Sequence, residues 1–442
     1  MLSYKIITAA TLLGLSILLP LNADADEIKP LTQQLRESEA GKWISVWGQY
    51  GFEIGVSSLE TGTSFSNQLG LGVRVKPASI LTLDMSTEYL YADRLGDSNA
   101  GFSTGYDSLG MHRAYATLDI LDKKLRLSGG RRPYGESVPL SALQNKDQID
   151  DRGNPSLLSN FHFDGGVISY SPEILSSVGS YWQIMYGHGY GSDSLAIQSA
   201  LSASSSSLFD SDIFGATLVA VSTSAHKIWF QWNRAFDVFD FPVVNNTAFG
   251  NTTPSTALGD IDWFSVGAKT TFKAADFGDL HFFVDGGMSV TRPNGNLSTN
   301  GAFTGLLSGS PFSPESPKEK TGYAVFTGVR YDLPFGTKIG FEYNYGSKYW
   351  ITSSAAVVGK TGTRGNVYEP FVMQEINVKP VTSLFAKTFV RAGFQYYDFE
   401  YTGSNSWVGA PVKISDITSG ILLLQAPVTH SRYVYGALEI HF

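Results

Sequence analysis

The feature that most constrains this chain is a series of about sixteen short segments whose apolar and polar residues alternate. Successive side chains of a β-strand point to opposite faces, so this alternation predicts strands with one apolar and one polar face. The last segment, Ser431 to Phe442, alternates strictly and ends on an aromatic residue. The candidate strands are residues 42–54, 65–76, 79–92, 110–121, 123–134, 161–171, 179–190, 212–223, 226–237, 261–273, 278–291, 320–332, 335–350, 368–379, 383–399 and 430–442.

The connections between these segments alternate between seven short turns and eight long loops. A soluble β-sandwich or propeller has no reason to place all of its long loops at one end. The fold class that this layout predicts is all-β, a transmembrane antiparallel β-barrel of about sixteen strands with short periplasmic turns and long extracellular loops. An ordinary soluble β-domain is the alternative. The long loops span residues 55–64, 93–109, 135–160, 191–211, 238–260, 292–319, 351–367 and 400–429.

The composition agrees with a chain of many strands and turns. Charged residues make up only 16% of the sequence, aromatic residues make up 13%, and there are 46 glycines. Gly70 and Gly72 alternate with leucines, which predicts a lumen-facing wall that leaves room for bulky neighbours. No cysteine is present, so disulfides and cysteine-based metal sites are excluded. The net charge of −8 argues against nucleic acid as a partner.

The first 25 residues have the features of a signal peptide. Lys5 supplies a positive charge, an apolar run follows, and Ala23-Asp24-Ala25 matches a cleavage site. We therefore expect export across the inner membrane, a short periplasmic segment over residues 26–41 and a barrel over residues 42–442. Beyond the signal peptide, no apolar run approaches the roughly 18 residues of a membrane-spanning helix.

The stretch from Tyr106 to Ser171 combines charged strands with a long loop. Lumen-facing positions of strands four and five are predicted for Arg113, Lys124, Arg126 and Arg132, with Asp119 between them. The loop at about 134–160 is rich in acidic residues, and it is the predicted constriction. The other pore-lining candidates are Asp84, Glu88, Glu136, Asp147, Asp150, Asp151, Lys387 and Arg391. Alternatively, the arginines form structural ion pairs with Asp84, Glu88 and Asp119.

This arrangement resembles the superfamily of Gram-negative outer-membrane porins, in which acidic residues of the third loop face a ladder of arginines. The Arg-Ala-Tyr segment at 113–115, Gly-Arg-Arg-Pro at 130–133 and Phe-Asp-Gly at 163–165 are also similar to an uncharacterised proteobacterial porin-like family. Phe442 resembles the terminal signature that the barrel-assembly machinery reads. The resemblance implies outer-membrane lipid, lipopolysaccharide and that machinery as partners, and it is compatible with a homotrimer.

Enzyme signatures are not apparent in the sequence. None of the seven histidines forms a metal-binding pair, and no phosphate-binding loop follows a strand. We therefore expect no enzymatic activity and no cofactor.

The function predicted from the sequence is passive diffusion of small hydrophilic solutes and ions across the bacterial outer membrane, with a weak-to-moderate preference for anions. The alternatives are a substrate-selective channel of the same fold, a non-conducting adhesin or surface barrel, and an outer-membrane hydrolase.

Overall fold

The computed structural model describes the barrel and parts of its loops. The predicted signal peptide, the segment 26–41 and most of the third long loop lie outside the described residues. These described residues are 43–58, 63–93, 106–134, 157–158, 161–190, 211–239, 256–274, 277–298, 304–309, 316–353, 359–377, 381, 385, 387–404, 406–417 and 427–441.

Sixteen β-strands form the fold, and each overlaps one of the sixteen predicted segments. The two segments with the weakest alternation, 161–171 and 368–379, are strands like the others. The strands are β1 Ile44–Ser57, β2 Thr63–Ala78, β3 Leu81–Asp93, β4 Tyr106–Ile120, β5 Leu125–Tyr134, β6 Phe161–Tyr170, β7 Tyr181–Tyr190, β8 Ser211–Ser222, β9 His226–Phe239, β10 Ala257–Ala274, β11 Gly278–Pro293, β12 Lys320–Asp332, β13 Thr337–Gly346, β14 Gly365–Glu375, β15 Lys387–Phe399 and β16 His430–His441.

The sheet closes on itself, because the first and last strands pair with each other. Every strand is antiparallel to its neighbours in sequence, and β1 meets β16 from Gln49 opposite His441 to Ser57 opposite Tyr433. Closure leaves no strand edge with unpaired backbone groups. The seven short connections lie at one end, called here the turn end, and the eight longer ones lie at the loop end. The predicted antiparallel β-barrel of sixteen strands is confirmed.

The two faces of each strand differ in the way the alternation predicts. On β16, the outward Val434 is 46% exposed, whereas the inward Tyr435 is 4% exposed. The outward Leu71 of β2 and Met85 of β3 are likewise exposed. A continuous apolar outer surface is what a barrel needs in order to stand in lipid.

Many inward aromatic rings lie flat against a glycine of the neighbouring strand. Gly72 lies beneath the ring of Trp47, as its predicted lumen-facing position requires, and an added Cβ would come within 2.2 Å of that ring. Gly267 has the same relation to Trp229. These glycines create the space that lets large rings fit along the curved wall. Further pairs of this kind are Gly187 with Phe163, Gly340 with Phe371, Gly55 with Tyr433 and Gly393 with Tyr435.

Much of the inner wall is apolar, which differs from the polar second face that the alternation predicts for each strand. Inward side chains from β6 to β14 form one buried cluster with residues of four inward-folded loops. Those loop residues come from the third, sixth, seventh and eighth long loops. One side of the barrel therefore has a packed core, while β1 to β5, β15 and β16 keep a more polar wall. The loop residues of this cluster are Leu157, Leu158, Leu306, Leu307, Trp350, Ile351 and Trp407.

Helices are few and short in the described chain. The only α-helix there, α1, is the single turn Gly359–Gly362 of the seventh loop. Two 3-10 turns lie at Glu173–Val178 and Ile414–Asp416. None of the described helices has the length and apolar character needed to span a membrane.

The pairing of glycines with aromatic rings predicts a difference between two similar substitutions. We expect Gly267→Ala to lower the temperature at which the SDS-resistant folded band disappears, because overpacking a core costs about 1–3 kcal/mol. Gly286→Ala is the matched control, since its Cβ would point outward and its nearest neighbouring atom, the carbonyl oxygen of Val266, is 3.9 Å away. Equal transition temperatures for the two variants would contradict this account of the wall.

Candidate channel lumen

The inner wall of β2 to β4 holds a buried ion-pair cluster. Asp84 accepts a hydrogen bond from Arg74 Nε at 2.7 Å and lies 3.9 Å from Arg113 Nη1. The guanidinium of Arg113 lies over the ring of Trp47, 5.7 Å from its centroid. Arg113 is completely buried and Asp84 is 2% exposed. Both face inward as predicted, and their burial and mutual contacts agree with the alternative of a structural ion pair.

Two other predicted arginines are more accessible. Arg126 donates from Nε to Asp119 at 2.8 Å, and half of its side chain is exposed. Arg132 is half-buried and lies over the ring of Tyr115. The pairing of Arg126 with Asp119 agrees with the structural alternative, yet the exposed guanidinium still contributes its charge to the lumen.

Lys124 is not on a strand, contrary to the prediction. It closes the turn between β4 and β5, and its ammonium donates to Glu173 in the next turn at 2.6 Å. That hydrogen bond and the charge of Glu173 raise the pKa of Lys124, and the same contacts lower the pKa of Glu173. The pair lies at the turn end of the barrel, outside the lumen.

On the opposite side of the β1–β16 seam, Arg391 anchors a second network. Its Nη2 lies 3.3 Å from Glu53 and 3.7 Å from Glu439, and its guanidinium covers the ring of Tyr435. Arg391 is inward-facing, as predicted, but only 7% exposed. Lys387, the other candidate on β15, is its first residue and is exposed at the turn end.

A lysine from a loop completes this charged region of the lumen. Lys360 of α1 reaches into the barrel and donates to both Glu342 of β13 and Glu369 of β14. Glu369 also accepts a hydrogen bond from Tyr435 at 2.5 Å. Burial alone would lower the pKa of the Lys360 ammonium, but attraction by the two carboxylates outweighs it and the pKa is raised. The triad fixes the seventh loop to the wall.

The end of the third long loop lies inside the barrel. The carbonyl of Leu158 accepts hydrogen bonds from Gln231 and Asn233 of β9, at 3.2 and 3.0 Å. Leu157 donates to Asp285 of β11 at 3.4 Å. Because both leucines are fully buried and hydrogen-bonded to inward side chains, this part of the loop lies within the lumen. The remaining candidates Glu136, Asp147, Asp150 and Asp151 lie outside the described residues, as does Phe442. Glu88 lies on β3 opposite Gly70 of β2, but its side chain is outside the described part of the structure.

Indole and guanidinium donors fix the other inward loops. Trp263 of β10 donates to the carbonyl of Ile351 at 2.8 Å, and Trp350 donates to that of Thr361 at 2.7 Å. Trp407 of the eighth loop donates back to the carbonyl of Phe239 at 2.6 Å. Buried Arg364 donates to the carbonyls of residues 350, 402, 403 and 406, which joins the seventh loop to the eighth. These contacts satisfy backbone groups that the loops bury.

The described residues contain no group of three or more side chains that could hold a metal ion.

Comparison with known proteins gives the family of this chain. The model of the family DUF3373, described as a protein of unknown function, matches residues 65–442 of this chain. The chain belongs to DUF3373. No curated protein matches it.

Solved structures similar to this DUF3373 barrel are outer-membrane proteins of about the same length. OprB of Pseudomonas putida aligns over 93% of this chain and 96% of its own, with a TM-score of 0.50 and 12% identity. OmpT of Vibrio cholerae aligns over 90% of this chain and 97% of its own, with a TM-score of 0.47 and 13% identity. An anion-selective porin from Comamonas acidovorans aligns over 90% of this chain and 99% of its own, with a TM-score of 0.45 and 10% identity. The DUF3373 chain thus has a porin-like fold, which confirms the predicted superfamily resemblance at the level of fold.

Several charged residues of the lumen were missing from the sequence-based set of site candidates. Glu53, Glu369 and Glu439 occupy inward positions that the two-residue periodicity of their strands indicates. Lys360 carries no such signal, because it lies in a loop, where no alternation shows which way a side chain points. The periodicity gives the face of a residue, but not which loop folds onto it.

The Lys360 triad predicts a strong dependence on charge balance. We expect Lys360→Met to lower the thermal transition of the folded band, because removing one partner of a buried ion pair costs about 3–5 kcal/mol. Adding Glu342→Gln and Glu369→Gln should restore much of the loss. Lys124→Met removes an exposed lysine and is the control. A Lys360→Met barrel as heat-resistant as the wild type would contradict the proposed role of the triad.

Proposed function

We propose that this DUF3373 protein is an outer-membrane channel through which small hydrophilic solutes and ions diffuse passively. The observation that carries the proposal is the two-faced closed barrel, apolar outside and lined on one side by charged residues. A membrane-spanning barrel needs that outer face, and a sixteen-stranded barrel is wide enough for an aqueous channel. Accessible lumen charges such as Arg126 and Arg132 support a path along the polar wall.

The third loop supports a constricted rather than an open pore. Its end is hydrogen-bonded to β9 and β11 through Leu157 and Leu158, deep in the barrel. We propose that the acidic stretch before it narrows the lumen opposite the arginines of β5. Opposite charges across a narrow water channel create a transverse field, which favours polar solutes that can reorient.

The cellular setting follows from the same proposal. The first 25 residues would direct export, and Phe442 on the closing strand would serve the barrel-assembly machinery. Lipid and lipopolysaccharide would surround the apolar belt, and a homotrimer is the assembly that we propose by analogy with porins. The proposal includes neither enzymatic activity nor a cofactor.

The apolar cluster favours a second candidate function, a barrel with a closed lumen that acts as a surface protein. Loop residues such as Leu306, Trp350 and Trp407 pack against the inner wall as a core does. A filled lumen would block solutes, whereas filling of one side alone leaves the polar wall open to them. Conductance distinguishes the two candidates.

Planar-bilayer recording tests the channel and its constriction together. We expect discrete single-channel steps from the purified wild type, and larger steps after deletion of residues 141–156, because the deletion would widen the narrowest part of the path. Deletion of residues 194–209 from the fourth long loop is a control of equal length. Absence of steps in all three proteins would favour the closed surface barrel, and equal steps would place the third loop outside the path.

A further inference from the structure

The outer wall carries a polar cluster at the loop end of β9 to β11 that the channel does not use. It consists of Arg234, Asp260, Asp262 and Arg292, and in the sheet Arg234 lies opposite Asp262 and Asp260 lies opposite Arg292. These residues share the outward face of their strands with exposed apolar residues such as Phe264. Outward aromatic residues mark the membrane interface, so the cluster lies at the height of the lipid headgroups.

The two carboxylates of the cluster hold its two guanidinium groups in place. Asp262 accepts a hydrogen bond from Nε of Arg292 at 2.5 Å and another from the indole of Trp232 at 3.1 Å. Asp260 accepts from Nη2 of Arg234 at 2.9 Å and from a backbone N–H of β9 at 3.1 Å. Both oxygen atoms of each carboxylate are thus engaged by donors of the protein itself.

The charges of the four cluster residues balance, so the property that matters is which of them faces outward. The side chain of Asp262 is 3% exposed, whereas half of the Arg292 side chain is exposed. Arg234 and Asp260 lie between these extremes, and Glu319 before β12 adds a further attraction on Arg292. The surface therefore presents a guanidinium with a buried carboxylate behind it. A planar guanidinium fork matches the oxygen atoms of a phosphate, and a fork that is already oriented loses less entropy on binding.

An apolar groove runs along the outer wall next to this cluster, on the side of the apolar belt. It has a volume of about 840 Å³ and crosses β7 to β12. The small outward residues Ala216 and Gly286 form its floor, and its sides include Trp232, Phe264 and Tyr323. A Cβ added to Gly286 would lie 3.9 Å from its nearest neighbouring atom, so the floor is open. Trp232 joins the two features, because it lines the groove and donates to the cluster.

We propose that the cluster and the groove together bind lipopolysaccharide, with a phosphate of its lipid A on Arg292 and Arg234 and an acyl chain in the groove. The phosphate would accept charge-assisted hydrogen bonds, and the acyl chain would cover apolar surface. Phospholipids share this chemistry. The site lies at the loop end, however, which the proposed channel turns to the cell exterior, where lipopolysaccharide forms the leaflet. In this respect the inference rests on the proposed function.

Titration with lipid A of a barrel refolded in detergent without lipopolysaccharide tests the site, and native mass spectrometry counts the bound lipid. We expect Arg292→Gln to lower the affinity for lipid A roughly tenfold, because a hydrogen bond between charged groups is lost. The Arg234→Gln, Arg292→Gln double variant should bind more weakly still. Arg432→Gln should bind as the wild type does, since Arg432 is an exposed, outward arginine at the loop end of β16, away from the groove.

A substitution in the groove tests the same site without touching its charges. Gly286→Leu would place a side chain on the groove floor, and we expect it to weaken lipid A binding while the SDS-resistant folded band is kept. This variant decides the question if the arginine variants do not fold. Wild-type affinity of the folded Gly286→Leu barrel would overturn the proposed acyl-chain groove, and wild-type affinity of a folded double variant would overturn the phosphate site.

Two further ligands and the conductance separate the remaining outcomes. Dephosphorylated lipid A should bind to the wild type as weakly as lipid A binds to the double variant. Equal affinity for phosphatidylglycerol and lipid A would reject the assignment to lipopolysaccharide. A barrel that binds lipid A without conducting would support the site and reject the channel, whereas a conducting barrel that binds no lipid A would reject the site alone. An oligomer that only the double variant loses, at unchanged lipid A affinity, would show a contact between copies instead.

Discussion

The structure depends on one constraint, that every backbone hydrogen-bonding group of a strand must find a partner within the sheet. Lipid offers no such partner, so the sheet must close, and β1 meets β16 along nine residue pairs. Closure fixes both faces of every strand at once, because a shift of one residue would exchange them. The apolar belt, the inward aromatic rings and the charged lumen are all consequences of this single register.

The sequence was sufficient for the strands because periodicity and connection length are local signals. The differences lie at strand ends. Strand β10 begins at Ala257, four residues before its predicted start. Asp260 in this added part and Asp262 just after it lie on the outward face of the strand. There the two carboxylates pair with Arg234 and Arg292, at 2.9 and 2.5 Å. Apolar alternation therefore marks where the outer apolar belt ends, whereas the hydrogen-bonded ladder continues beyond it.

The lumen was less predictable, because its contacts join residues that are distant in sequence. On β9 both faces carry large apolar residues, with Phe230 outside and Trp229 inside, so a pattern of apolar and polar residues cannot reveal an interior core. Loop residues such as Leu157 and Lys360 have no periodicity that would show which way they point. The hydrogen-bonding partner of Leu157 is more than a hundred residues away in the sequence. Arg113 was correctly oriented, but its burial depends on packing that no local pattern records.

The division of the inner wall explains why its charges behave differently from one another. Where loops fold inward, as at Lys360, burial requires each charge to be matched, and Glu342 and Glu369 supply that match. At the buried Arg113 of β4, a carboxylate and an aromatic ring of neighbouring strands serve the same purpose.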